Sequence, residues 1–428
     1  MAVYLICYLA SYILARFDHY LVSGVLLLAA AIWLYMEDYR KYKNLIHLRG
    51  LFSLFWVGGE GLACLKLSNL QTDWSGMTWF CLFLAYIGFW LVFEALVQAY
   101  GSGYDGYGRW RSFSGDPRPV FTMICALTAV SLVCFITESV VLGYVPLLLR
   151  GVPHAYSEFH LTGIHYFTVS CVLVPSLTVL YIHMRNGRGS EKLLIAALVM
   201  TGISLLIPIL CVSRFQLVFA VLLAAFTYIS LQKLFHPGWL LGLFVVLLPF
   251  YLILTVARSH NIEYLNGIFE MKRASMPIFI SQPYIYIANN YDNFNCMVEA
   301  LPGHSFGLKG LFPLWALSGL KFFFPQLINF PIYVDKTELT TLTLFYDSYY
   351  DFGWIGVLLF SCILGAVAYI LVVKLREMRN PLGYLLYAQF AAYLMLSFFT
   401  TWFSNTTTWF YLILTGIMAL FSHLRASR

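Results

Sequence analysis

Apolar runs of roughly 16–22 residues recur from one end of this chain to the other, each long enough to cross about 30 Å of hydrocarbon. Backbone groups in that layer must hydrogen-bond within their own segment. Unbroken apolar runs of this length therefore mean helices and not barrel strands. The chain is expected to be an all-α polytopic integral membrane protein. Of its 428 residues 61% are hydrophobic and only 11% charged, which sets aside the alternative of two or three soluble domains.

Length and flanking charge place about twelve transmembrane helices. They run near 2–15, 20–36, 50–68, 77–98, 119–141, 163–184, 192–212, 215–231, 239–257, 354–373, 382–399 and 408–423. The first apolar run, Val3 to Leu14, lacks a basic leader and is followed at once by another, so it reads as a membrane helix and not as a cleaved signal. The third is interrupted by Gly58, Gly59, Glu60 and Lys66. Every second connection is basic: Arg40, Lys41, Lys43 and Arg49; Arg109, Arg111 and Arg118; Arg185, Arg188 and Lys192; Lys374, Arg376 and Arg379; and Arg425 with Arg428 at the end. Positive charge is retained on the cytoplasmic side, so both termini are expected there.

One stretch breaks the rhythm. Residues 258–353 form a large extracytoplasmic loop between the ninth and tenth spans, inserted into a single membrane domain that covers 1–428. Within it Gly310–Pro325 is apolar, but Pro313, Lys321 and Pro325 favour short amphipathic helices lying at the interface over another crossing. The net charge of +6 is spread over helix ends and not gathered into a run, so nucleic acid is not an expected partner. The nine cysteines contain no CxxC, and eight of them lie in or beside apolar runs, where they act as small hydrophobes.

Charges that persist near hydrocarbon need a reason. Arg150, Arg214, Arg258 and Arg273 all map to the outer face, which ordinarily excludes positive charge. Arg214 lies in a hairpin, Cys211-Val-Ser-Arg-Phe215, that joins two spans with almost no loop, and Arg258 ends span nine. Each alone is explained by snorkelling to headgroups. Together they suit a lipid-linked diphosphate, whose tail stays in hydrocarbon while its oxygens meet planar guanidinium forks without a metal. His154 and His260 lie near these arginines and are candidates for moving protons.

A second group supplies acid/base and aromatic chemistry. Tyr286, Asn293 and Asp292 lie in one polar stretch of the loop. Asp347 and Asp351, four apart, fall on one face if helical, beside Tyr346, Tyr349 and Tyr350. A carboxylate activates a hydroxyl and an aromatic ring stacks on a sugar face. An interfacial aromatic belt accounts for most of the thirty tyrosines on its own. Glu138, near the end of span five, is a further intramembrane carboxylate expected to face a cavity or partner.

Other motifs lead nowhere. Gly101-Ser-Gly103-Tyr-Asp-Gly106 follows a membrane span and not a strand, so it is no dinucleotide fingerprint. There is no Walker A sequence, no HExxH, no DxD and no GxSxG, and His160 and His165 are five apart, which does not align two ligands on a helix. No metal or other cofactor is expected.

Three passages resemble the oligosaccharide repeat-unit polymerases of the Wzy type, the O-antigen polymerases. They are Tyr144-Val-Pro-Leu-Leu with Arg150 and the Glu158-Phe159…Gly163 entry to the next span; Ser213-Arg214 between two apolar runs; and Thr340–Gly356, with Tyr350-Asp351-Phe-Gly353 opening a span. The resemblance implies a GT-C-like fold in a bacterial inner membrane and a metal-independent glycosyltransferase for surface polysaccharide, capsule or lipopolysaccharide. It would move a growing glycan from a polyprenyl (undecaprenyl) diphosphate carrier onto the terminal sugar of another carrier-linked unit. On that likeness Arg214 and Arg258 grip the diphosphate, Arg150 and Arg273 assist, and Asp292 deprotonates the acceptor. A chain-length regulator and a flippase are the implied partners, besides membrane lipids. Two rival readings remain: a ligase similar to those that transfer O-antigen, and a flippase or transporter of the same lipid-linked sugars. The ligases carry a histidine in the late external loop, and His260 and His304 sit in no matching motif. A transporter predicts paired, broken half-helices, and no such internal symmetry is visible.

Overall fold

The computed structural model describes residues 1–102, 116–149, 155–185, 187, 190–231, 267–273, 275–327, 329–375 and 378–426. Among the described residues the regular secondary structure is helical, apart from one isolated bridge between Ser68 and Met271. Among them seven helices are long and apolar enough to cross a membrane: Tyr20–Tyr42, Gly76–Tyr100, Arg118–Leu142, Ile164–Arg185, Glu191–Leu210, Arg214–Leu231 and Tyr346–Lys374. Each coincides with an expected span. Shorter apolar helices, Ala2–Arg16, Leu382–Met395 and Thr406–Ser422, stand where the first, eleventh and twelfth were expected. The expected span 239–257 lies outside the described residues.

Two regions differ from expectation. Residues 50–68 are not one regular rod: Leu48–Phe52 and Gly58–Cys64 are α-helical and Ser53–Val57 between them is a wider π-helical turn. The segment expected to carry only short amphipathic helices contains a 23-residue helix, Ile278–Ala300. Hydropathy conceals it because its buried side includes Asn289, Asn290, Asp292, Asn293 and Asn295. Such groups are tolerated inside only when every one is paired. Gly310–Pro325 divides into short helices, Phe312–Leu317 and Leu320–Phe323, and makes no continuous crossing.

The chain falls into two compact units. The first comprises Met1–Tyr107, Asn261–Lys374 and Tyr393–Trp409. In it Gly76–Tyr100 packs along Tyr346–Lys374, and small residues let the backbones meet. A Cβ on Gly365 would stand 2.4 Å from the Phe89 carbonyl oxygen, and one on Gly88 2.2 Å from Ser361 Oγ. Tyr20–Tyr42 crosses Gly58–Cys64 through Gly24 and Gly61 in the same way, with 2.6 Å from a Cβ on Gly24 to the Gly61 oxygen. The Tyr346–Lys374 helix is kinked at Phe352 and Gly353 (φ 60°), which separates Tyr346–Asp351 from the apolar length that follows. The second unit comprises Gly108–His260, Leu375–Ala392 and Phe410–Arg428. Its described part packs Arg118–Leu142, Ile164–Arg185, Glu191–Leu210 and Arg214–Leu231 together. Outward-facing Leu21, Val25, Ile32, Val133, Val140, Leu198 and Ile363 form apolar faces that a bilayer would cover.

At one end of the first unit Arg49 is buried. Its fork meets Asp38 (Nε to Oδ2, 3.0 Å) and Glu94 (Nη1 to Oε2, 2.5 Å). Read from the sequence as one of the charges that orient the chain, it is neutralised internally. Beside it His47 is 1% exposed, stacks on Tyr42 at 4.3 Å, and neither ring nitrogen makes a hydrogen bond. Asp38 lies 3.9 Å from Nδ1, which favours the cation, but burial first, and then Arg49 and Lys41, act against it. Burial prevails because it removes all water while Asp38 is already engaged by Arg49. The imidazole is pushed down from 6.5 to about 4.

Because this pKa is depressed on folding, the unfolded chain binds more protons between these values. His47 therefore favours the folded state fully above pH 6.5, and that contribution is lost as pH falls towards about 4. His47→Phe is expected to flatten the acid limb of thermal stability in detergent. An unchanged pH profile would remove His47 from the account.

Candidate functional site

The polar face of Ile278–Ala300 organises the first unit. Asp292 is completely buried and its carboxylate accepts three hydrogen bonds. Oδ1 accepts from Lys66 Nζ at 2.7 Å and from Trp74 Nε1 at 2.8 Å, and Oδ2 accepts from Gln71 Nε2 at 2.9 Å. Lys66 reaches it because the chain leaves Gly58–Cys64 and turns through a left-handed residue, Lys66 itself (φ 49°). Its ammonium also donates to the Thr72 carbonyl and stands 4.6 Å from the Trp74 ring centroid. One turn further along the helix Asn295 Oδ1 accepts from Ser75 N (2.8 Å) and Thr78 Oγ1 (2.7 Å), which fixes the start of Gly76–Tyr100. Asp292 and Asn295 thus clamp the loop between Lys66 and Ser75.

Under that clamp lies a cavity of about 80 Å³. Arg16, Asp18 and Asp73 form its rim, with Tyr20 donating a hydrogen bond to Asp73, while Lys66, Trp74, Trp79 and Cys64 form its inner wall. Two cations, two carboxylates and two indoles therefore share one small space. Indole faces suit the apolar face of a sugar ring, and open carboxylates suit its hydroxyls. Asp292 does not reach this space. Fully buried and held by Lys66, Trp74 and Gln71, its carboxylate is not among the groups that line this space.

A second cluster forms where Tyr346–Asp351 meets residues 304–310. Asp347 and Asp351 do share a helical face, and both serve that loop. Lys309 Nζ lies 3.7 Å from Asp347 and 4.5 Å from the Tyr350 ring centroid. Asp351 accepts from Ser305 Oγ, Lys309 N (3.1 Å) and Gly310 N (2.8 Å), so it holds a turn and leaves little for a ligand. Tyr350 packs against Phe330 and Tyr333.

Of the other expected site residues, Asn293 is committed to the backbone: Nδ2 donates to Leu339 and Thr341 carbonyls and Oδ1 accepts from Asp335 N. Tyr286 is half-buried, 6.3 Å from Phe399 between ring centroids. Arg273 is exposed at the surface of the first unit. Arg214 belongs to the second unit, where it is 8% exposed and starts Arg214–Leu231 straight after a hairpin whose Val212 is left-handed (φ 53°). Arg150, His154, Arg258 and His260 lie outside the described residues. Glu138, also in the second unit, is buried and accepts from Leu161 N and Thr168 Oγ1, with His165 Nδ1 3.1 Å away. Among the described residues no three His, Cys, Asp or Glu side chains converge as metal ligands.

The residues that sequence reading missed are Lys66, Gln71, Trp74 and Lys309, together with Arg16, Asp18, Asp73 and Trp79 around the cavity. Lys66 had announced itself only as a charge interrupting an apolar run. No protein-family model, no curated protein and no solved structure matches this chain.

Proposed function

We propose that this chain is a membrane-embedded glycosyltransferase that polymerises oligosaccharide units carried on a polyprenyl diphosphate, as the Wzy-type resemblance implies. The observation that carries the reading is the cavity of the first unit, where Trp74 and Trp79 face carboxylates and cations under a polar loop on otherwise apolar helices. That chemistry suits a saccharide held at a membrane surface. In this reading Asp18 and Asp73 are the carboxylates open to an acceptor hydroxyl, and Asp292 is a positioning residue behind them. Arg214 and Arg258 hold the diphosphate leaving group, with Arg150 and Arg273 assisting. The full arrangement has about twelve crossings in a GT-C-like plan with cytoplasmic termini, in a bacterial inner membrane. A flippase delivers the substrate and a chain-length regulator acts on the product.

Purified protein in detergent, given a carrier-linked repeat unit, is expected to yield a ladder of products. Arg214→Ala and Arg258→Ala should abolish chain extension with folding intact. Arg214→Lys should also be poor, because a point charge does not replace the planar fork. Substrate left at one unit length by wild-type protein, together with movement of the same lipid across a reconstituted bilayer, would favour the transporter instead.

A further inference from the structure

Glu60 is fully buried in Gly58–Cys64, and neither of its carboxyl oxygens has a hydrogen-bond partner. Asp292, Asp351 and Glu138 each collect several donors; Glu60 is built differently. The groups that face it come from three directions. Ala2–Arg16 presents Tyr4 and Tyr8, Ile278–Ala300 presents Tyr291, and Cys64 lies one turn along its own helix. Tyr86 adds a phenol beyond Tyr4. Tyr20–Tyr42 meets the helix with Gly24, Leu27 and Leu28, none of which titrates. The next basic group in the chain, Lys66, is committed to Asp292 and Thr72.

Two of these phenols have already spent their protons, while Tyr4 Oη has no hydrogen-bond partner. Tyr8 Oη donates to the Trp79 carbonyl at 2.6 Å and Tyr291 Oη donates to the Trp56 carbonyl at 2.8 Å. What both have left to offer Glu60 is lone pairs. A charged carboxylate there would sit among neutral phenols in an apolar setting with no cation beside it, and a group so placed sheds its charge. A carboxylic acid, by contrast, carries no charge and can donate to a phenol oxygen. The cavity of the candidate site is lined by Cys64, one turn along the same helix, and not by Glu60, so the carboxyl lacks the room that a coordinated ion requires. The π-helical turn Ser53–Val57 immediately precedes this segment, an irregularity that recurs at functional sites in membrane and soluble helices.

We propose that Glu60 is an intramembrane proton-binding site, held as the neutral acid and exchanging its proton through the cavity that begins one helical turn away at Cys64. The proposal does not depend on glycan transfer. Infrared difference spectra of the full chain against Glu60→Gln, in detergent at neutral pH, test it. A protonated-carboxyl C=O band should be present in the wild type and absent from the variant. It should shift in D2O and disappear at alkaline pH. Ionised-carboxylate bands in the same difference spectrum would overturn the proposal. So would loss of the C=O band on adding sodium or potassium chloride at constant pH, which would make this a monovalent cation site. If Glu60→Gln does not fold, Tyr8→Phe replaces it: removal of the acceptor should move the C=O band, and an unmoved band would overturn the assignment.

Discussion

Asp292→Ala is expected to destabilise the protein by about 3–5 kcal/mol, because it leaves Lys66 as a buried, uncompensated cation. Lys66 is 5% exposed and Asp292 not exposed at all, so water does not step in. Trp74 Nε1 loses its acceptor in the same stroke, at about 1–3 kcal/mol if it stays unpaired, while Gln71 Nε2 keeps the Ala63 carbonyl. The double variant Lys66→Met with Asp292→Leu should regain much of the loss, since replacing a buried pair with apolar groups of similar size is often close to neutral. Thermal unfolding of wild type, Lys66→Met, Asp292→Leu and the double variant in detergent measures the coupling. A role in positioning predicts that glycan synthesis fails in Asp292→Ala together with stability. Asp292→Ala that unfolds like wild type yet makes no polymer would restore the carboxylate to the chemistry.

This pair also marks where sequence reading stops. The apolar runs were legible because span length and helix period are local properties. Asp292 was legible as an unusual carboxylate in a polar stretch. Its partners were not, because Lys66, Gln71 and Trp74 lie more than two hundred positions earlier, and nothing in one sequence pairs residues across that distance. The helix Ile278–Ala300 escaped for a related reason. The amide nitrogens of its buried Asn289, Asn290 and Asn293 donate to the carbonyls of Leu339, Thr341 and Phe398, so a face that reads as solvated is in fact internal. Asp347 and Asp351 were correctly set on one face, yet that spacing could not distinguish a ligand site from a clamp on residues 305–310. Glu60 was visible as a flaw in a span. That it is buried among Tyr4, Tyr8 and Tyr291 is set by two other segments.

Arg49→Ala carries the other large effect and tests a different idea, that a basic residue beside a span serves more than orientation. Removing the guanidinium leaves Asp38 (4% exposed) and Glu94 facing each other without a cation. The loss is expected to reach about 3–5 kcal/mol, as when one partner of a buried ion pair is deleted. Arg49→Lys is the sharper variant. It keeps the charge that positive-inside topology counts, but one ammonium cannot reproduce the fork that meets Asp38 through Nε and Nη2 and Glu94 through Nη1. Arg49→Lys should therefore retain wild-type insertion, read by labelling of cysteines placed in the flanking loops, and still lose thermal stability. Equal stability of Arg49→Lys and wild type would mean that the charge alone matters and that the geometry of the fork contributes nothing. If instead Arg49→Lys inserts normally and melts early, the folded contacts between Tyr20–Tyr42 and Gly76–Tyr100 depend on this guanidinium, whatever it also does for topology.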